Sequence, residues 1–229
     1  MADGEPVILT GFSVLGNTIS PTTLTQMKTT IDRHYSAYRR ESCAVVVERR
    51  IYVLIHTDKQ EEARTIAERV LHVIDRVVDG ETVAAVAEPA HHSGSLTARR
   101  QELDAILRCH VRGSARRVLA RGDVQSQLLI NKVRDTIAAE PLVLNARLAA
   151  LIDKEQATGR GNLSETLLCW CRNLGNTLRT AGELGVHDNT VRYRIQRAAE
   201  ALDADLGDPD TMLALWLQLR AAHEEQPSR

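Results

Sequence analysis

The amino-acid sequence changes character near residue 111, and that change constrains the fold more than any other feature. Before it, two kinds of periodicity alternate. The stretch 6–14, PVILTGFSV, is β-branched, contains a glycine and predicts a strand. Leu24, Met27, Ile31 and Tyr35 recur at helical spacing in 22–38. SCAVVVERRIYVLIHT, residues 42–57, splits into two β-rich runs around Glu48-Arg49-Arg50 and predicts a hairpin. A helix over 62–78 places Ile66, Val70, Val73 and Val77 on one face. A strand over 81–89 is stopped by Pro89, and a helix follows over 96–111. The order β-α-β-β-α-β-α predicts one antiparallel sheet with helices packed on it, a ferredoxin-like or cyclase-palm pattern.

After residue 111 the strand signals stop. RGSARRVLARGD, basic and interrupted by glycine, reads as a joint. Helices are expected over VQSQLLINKVRDTIAAE and LVLNARLAALIDKEQ, separated at Pro141, with TGRGN (158–162) as a loop. Asn162 and Glu165 stand at capping-box spacing before LLCWCRNL. The fold class expected is therefore α+β followed by all-α. The domains are 1–112, a helical connector 113–161, and a helical domain 162–229.

The last of these contains the most informative local signals. Asn176, after Gly175, suits the N-cap of a short helix TLRTAGEL, and Gly185 suits its left-handed end. A second helix, about 188–202, follows at once, so the pair predicts a helix-turn-helix. Ala181 allows a close crossing, and Leu184, Val186, Val191, Ile195, Ala198 and Leu202 supply the shared core. On a helical wheel Asn189, Tyr193, Gln196 and Arg197 then face outward, Thr190 and Arg192 flank them, and Arg194 lies nearer the core edge. Short polar side chains near a helix N-terminus with arginines behind them suit a reader of the major groove. Asparagine matches adenine, arginine matches guanine or phosphate, and the helix N-terminus attracts phosphate.

The segment 163–220 resembles the C-terminal DNA-binding domain of the PucR/CdaR family of bacterial transcription regulators. The resemblance rests on Gly175, Asn176, Ala181, Leu184, Val186, His187, Asn189, Thr190, Val191, Arg192, Tyr193, Arg194 and Ile195, with Asp205, Leu206, Asp208 and Pro209 trailing. It implies DNA-binding residues Asn176, Thr177, Asn189, Thr190, Arg192, Tyr193, Arg194 and Arg197, and a degenerate GGDEF-like palm upstream. Two departures stand out. Family members usually carry a further N-terminal sensor domain, for which these residues leave no room. They also commonly have arginine where this chain has Asp188. An aspartate suits the first turn of a helix; it repels phosphate but can accept a bond from cytosine, and it leaves one base contact in question.

Charge argues for a local footprint only. The formal net charge is -1, so bulk attraction to nucleic acid is not expected. Within 176–197, Arg179, Arg192, Arg194 and Arg197 oppose Glu183 and Asp188. One copy would neutralise on the order of 2–4 phosphates, so a dimer or higher homo-oligomer is expected. Aromatic residues make up only 3%, which disfavours stacking platforms for single strands.

No catalytic residue, metal site or cofactor is expected. The hairpin turn Glu48-Arg49-Arg50 lacks the glycines and paired acids of an active cyclase. Cys169 and Cys171 point roughly 200° apart on a helix and share no ion; Cys171 falls in the core register. His91-His92 reads as a surface pair. The apolar TMLALWLQL after Asp208-Pro209 is either buried or shared with a second subunit. With no signal peptide and no membrane span, the chain is expected in the cytoplasm. Its expected partners are double-stranded DNA, further copies of itself and an unidentified small-molecule effector. The competing expectation is an interaction protein whose helix-turn-helix no longer binds DNA and which pairs with a full-length relative.

Overall fold

The computed structural model describes residues 5–16, 19–39, 41–91, 95–110, 113–140, 145–158 and 162–224. The expected separation at Pro141 lies outside them, as do His92 and residues 159–161 of the expected loop. The chain divides into two compact units, Met1–Leu128 and Leu129–Arg229.

The first unit is α+β. Its elements are β1 (Val7–Val14), α1 (Pro21–Tyr38), β2 (Cys43–Val47), β3 (Arg50–His56), α2 (Gln60–Ile74), β4 (Thr82–Val86), α3 (Leu96–Arg108) and β5 (Val118–Ala120). The strands form one sheet in the order β2-β3-β1-β4-β5. The first four run antiparallel to their neighbours, while β5 lies parallel to β4. Successive residues of β1 point to opposite faces, and both faces are apolar. Ile8 and Phe12 join Ile31 and Tyr35 of α1 and Ile66, Val70 and Ile74 of α2. Leu9 joins Leu103, Ile106 and Leu107 of α3 on the other side. With helices on both faces, every residue of β4 is buried, as expected of a strand covered on both sides.

Two expectations are corrected here. The sheet is mixed rather than wholly antiparallel, because Val118–Ala120, within the expected joint, pairs with Ala84–Val86. A parallel neighbour needs a crossover, and α3 supplies it. Three apolar residues between Arg117 and Arg121 carry no alternation from which a strand can be read. Helix α2 also ends at Ile74, so Val77 lies beyond it and is exposed, and Val78 is buried in its place.

Ion pairs hold the short edge strand. The Arg117 guanidinium donates from Nη1 and Nη2 to the two carboxylate oxygens of Asp75, both at 2.8 Å. Asp123 accepts from Arg64 Nη2 at 2.6 Å and from the Ala120 amide at 2.8 Å. The Arg117 hydrogen bonds are the main cause of the lowered Asp75 pKa. For Asp123, burial works against ionisation, but the Ala120 amide and Arg64 outweigh it and the pKa is lowered. A carboxyl whose folded-state pKa is depressed contributes stability above its unfolded pKa near 4, and this is lost as pH falls through the folded value. Protection of the Val118–Ala120 amides against hydrogen exchange, relative to the intrinsic rate, is therefore expected to fall below pH about 4 before it does at β1. Simultaneous loss of protection at both would show that these pairs do not hold the edge.

The second unit is helical, with α5 (Ala146–Thr158), α6 (Leu163–Arg172), α7 (Thr177–Leu184), α8 (Asp188–Leu202) and α9 (Pro209–Glu224); α4 (Gln125–Ala139) spans the division between units. Its core gathers Leu148, Leu167, Leu168, Cys171, Ala198, Leu202, Leu215 and Leu219. Cys171 is in the core as expected, and α9 is buried along Leu215 and Leu219 while Leu213 stays exposed. The capping box at Asn162 and Glu165 does not form, since Asn162 makes no side-chain cap. Glu155 of α5 replaces it. Its carboxylate accepts from the amides of Leu163 at 2.7 Å and Ser164 at 3.3 Å, and from Ser164 Oγ at 2.5 Å. An acid on a neighbouring helix satisfies the orphan donors that a local residue normally takes.

Candidate nucleic-acid interface

Local capping chemistry defines the two helices of the candidate interface. The Asn176 side chain accepts from the Arg179 amide at 3.0 Å, and this starts α7. Gly185, at φ +64, ends it in the left-handed conformation that favours glycine. The Val186 amide then donates to the Ala181 carbonyl at 3.1 Å. Helix α8 starts at Asp188, and His187 caps it by accepting from the Asn189 amide at Nδ1, 3.2 Å away. Sequence reasoning assigned no role to His187, because histidine is not among the preferred N-caps.

Packing then sorts the side chains of α8. Val191, Ala198 and Leu202 are buried and Ile195 is half-buried, so the inward row is the expected one; Leu184 and Val186 are half-buried as well. Asn189, Arg192, Tyr193, Gln196 and Arg197 are exposed, and Tyr193 leaves 64% of its surface open. Thr190 and Arg194 are half-buried. On α7 Asn176 is exposed and Thr177 half-buried. Thr177, Arg192 and Gln196 line one open hollow of about 410 Å³ beside Trp170, which brings the start of α7 to the outward row of α8.

Each of the three arginines of α8 has a partner within the chain. Arg192 Nη2 lies 3.2 Å from Asp188 Oδ2, one turn earlier. Arg197 Nη1 donates to Glu200 Oε2 at 2.8 Å. Arg194 turns inward, where Nη1 donates to Thr166 Oγ1 of α6 at 3.3 Å. Thr166 is fully buried, so Arg194 ties α8 to α6. The pair of Arg197 with Glu200 is exposed on both sides and weak, about 0–1 kcal/mol, so a phosphate competes with it easily. Leu178, at the second position of α7, is 71% exposed and Leu174 is 84% exposed beside it. The sequence register placed Leu174 with Leu167, Leu168 and Cys171 toward the core, and its exposure corrects that, because the helix ends at Arg172 before reaching it; Leu178 was not singled out.

Other candidate chemistry stays dispersed. Glu48 and Arg49 form an exposed hairpin turn, with Glu48 at φ +56. Cys169 donates to Glu183 Oε2 at 3.2 Å, and burial followed by that carboxylate raises its pKa to about 11, so it is held as a thiol. His91 is exposed. Among the described residues no group of three or more His, Cys, Asp or Glu side chains is placed to hold a metal ion. No helix among them is long and apolar enough to cross a membrane.

Comparison with known proteins places this geometry. Residues 163–221 match the PucR C-terminal helix-turn-helix domain. Over 158 residues the chain is 29% identical to an uncharacterized protein in the pkwA 5′ region of Thermomonospora curvata, covering 69% of this chain and 83% of that protein. It is 38% identical over 64 residues to the carbohydrate diacid regulator of Escherichia coli (strain K12), covering 28% of this chain and 17% of the regulator. Similarity to the purine catabolism regulatory protein of Bacillus subtilis (strain 168) is 37% over 76 residues, or 33% and 14% of the two lengths. The chain thus spans only a small part of either regulator. Among solved structures, a regulator of polyketide synthase expression from Bifidobacterium adolescentis aligns with 97% of this chain and 82% of its own. The TM-score of that alignment is 0.34 and the sequence identity 14%.

Proposed function

We propose that this chain, which carries a PucR-type helix-turn-helix in its C-terminal unit, is a transcription regulator that binds duplex DNA as a dimer or higher oligomer. Helix α8 enters the major groove, and the start of α7 approaches the adjacent phosphates. Asn189, Arg192, Tyr193 and Arg197 meet the groove; Asn176, Thr177 and Thr190 meet the backbone beside it. The single observation that carries this reading is the outward polar row of α8, which sits on a capped helix end with Thr177 of α7 beside it. Arg194 contributes through Thr166 rather than through phosphate. The first unit acts as a degenerate GGDEF-like, ferredoxin-like palm, an assembly or signalling module without catalysis. In this reading the palm runs past the expected boundary at 112 to include β5, the helices after it form the connector and 162–229 the DNA-binding domain, and the protein works in the cytoplasm.

One observation favours a second reading, an interaction protein that has lost DNA binding: every arginine of α8 already has an intramolecular partner. Anisotropy of labelled duplex from the region upstream of the protein's own gene separates the two. Salt-dependent binding is expected, with a log–log slope of about −2 to −4 per bound copy. Arg197→Ala should lower the slope by about 1. Absence of binding at low salt by a protein of full helix content would overturn the first reading in favour of the second.

A further inference from the structure

Asp188 stands beside the outward row of α8, but its carboxylate does not project ahead of it. The side chain keeps 23% of its exposure, against 65% for Arg192 and 73% for His187. One oxygen is engaged: Oδ2 lies 3.2 Å from Arg192 Nη2. Oδ1 lies 2.8 Å from His187 Nδ1, a nitrogen that already accepts from the Asn189 amide. The spacing of four residues stacks the acid one turn behind the arginine on the same helix face.

That arrangement changes what Arg192 offers. A guanidinium has five N–H donors, and reading guanine at O6 and N7 takes two of them. A carboxylate held at Nη2 leaves donors on Nη1 and Nε, and it restricts the side chain before DNA arrives. The same carboxylate offsets the charge that would draw Arg192 to a phosphate. A phosphate contact depends chiefly on charge, whereas a base contact depends on a planar fork held in the right direction.

We propose that Asp188 is a positioning residue that holds Arg192 for a bidentate contact to a guanine in the major groove, so that it determines sequence choice rather than affinity. The inference rests on the reading of α8 as a recognition helix. An acid that on charge alone weakens this helix thereby becomes part of its reading head. With Oδ2 paired to Arg192, Asp188 acts through that arginine rather than as the reader of a cytosine.

Duplexes enriched by the full chain from a random-sequence library provide the test. Each is compared with copies in which single guanines are replaced by 7-deazaguanine, which lacks the N7 acceptor. At one position the replacement is expected to weaken wild-type binding on the order of tenfold. Arg192→Ala should abolish that sensitivity. Asp188→Ala should bind unselected duplex at least as tightly as wild type, yet its 7-deazaguanine sensitivity should fall to about twofold, and Asp188→Glu should restore it. A merely structural role would lower affinity for all duplexes together and leave the ratio unchanged.

Retention of the full ratio by Asp188→Ala would overturn the inference while leaving α8 a recognition helix. So would a preference at that base pair that is lost with Asp188 yet indifferent to N7, which would make Asp188 the reader of the cytosine. If the wild type binds no duplex at low salt, the reading of α8 fails and the inference falls with it.

Discussion

Leu167→Ala is expected to lower the stability of the helical unit by about 2–5 kcal/mol. Leu167 is completely buried at the centre of the cluster that joins α5, α6, α8 and α9. Truncation removes apolar contact and leaves a cavity that the surrounding helices fill only in part. Against a total of about 5–15 kcal/mol for a typical domain, that loss is large. Both tryptophans of the chain, Trp170 and Trp216, lie in α6 and α9, so tryptophan fluorescence reports this unit alone. The urea midpoint should fall by about 1–3 M. Leu178→Ala, at a leucine 71% exposed, should leave stability within about 0.5 kcal/mol of wild type. If the exposed substitution proves the costlier one, the assignment of inner and outer faces is wrong. DNA binding by Leu167→Ala should decline with the folded fraction, because Val191 and Ala198 hold α8 only while the core is packed.

The second large effect lies in the α+β unit. Asp104 of α3 accepts from Arg50 and, at 2.5 Å, from the Tyr52 hydroxyl, both on β3. The Arg50 and Asp104 side chains are only 27% and 19% exposed. Asp104→Ala therefore leaves a guanidinium and a hydroxyl without their partner in a poorly solvated place, at an expected cost of about 3 kcal/mol. Burial, reinforced by the bond to Asp104, pushes the Tyr52 pKa up to about 12. Since that value lies above the ordinary 10, the folded state holds this proton more tightly than the unfolded chain does. Its contribution is complete below pH 10 and is lost as pH rises through about 12. The protection factors of β3 amides, exchange normalised to its base-catalysed intrinsic rate, should fall across that window, and Tyr52→Phe should remove that fall. Alkaline loss that persists unchanged in Tyr52→Phe would assign it to another group.

Local signals in the chain act on the backbone next to them. Asn176 caps α7 and Gly185 ends it because both act through the backbone within a few residues of themselves. Asp208 and Pro209 start α9 in the same way, with Asp208 accepting from the Thr211 amide at 2.9 Å. The alternation that implied strands and helices recovered β1 through β4 and α1 through α3, since each spans several turns or pleats. The outward row of α8 followed from its period alone.

What periodicity does not carry is a partner brought from elsewhere. Residues Val118–Ala120 are a strand only because β4 presents a free edge and because Asp75 and Arg64 hold the flanking Arg117 and Asp123. Glu155 caps α6 from another helix, although Asn162 and Glu165 had the local spacing to do so. Arg194 lies nearer the core edge on the helical wheel and counts among the DNA-binding residues by resemblance, but the partner it takes in the fold is Thr166 of another helix.

The sequence by itself determined the order of elements, the caps of the helix-turn-helix and the face that α8 turns outward. These depend on backbone periods and on contacts within a turn or two. Only the tertiary structure decided the edge of the sheet, the cap of α6 and the partner of Arg194. Each of those places a charged or polar group against a residue distant in the chain, and such pairing is set by how the elements pack.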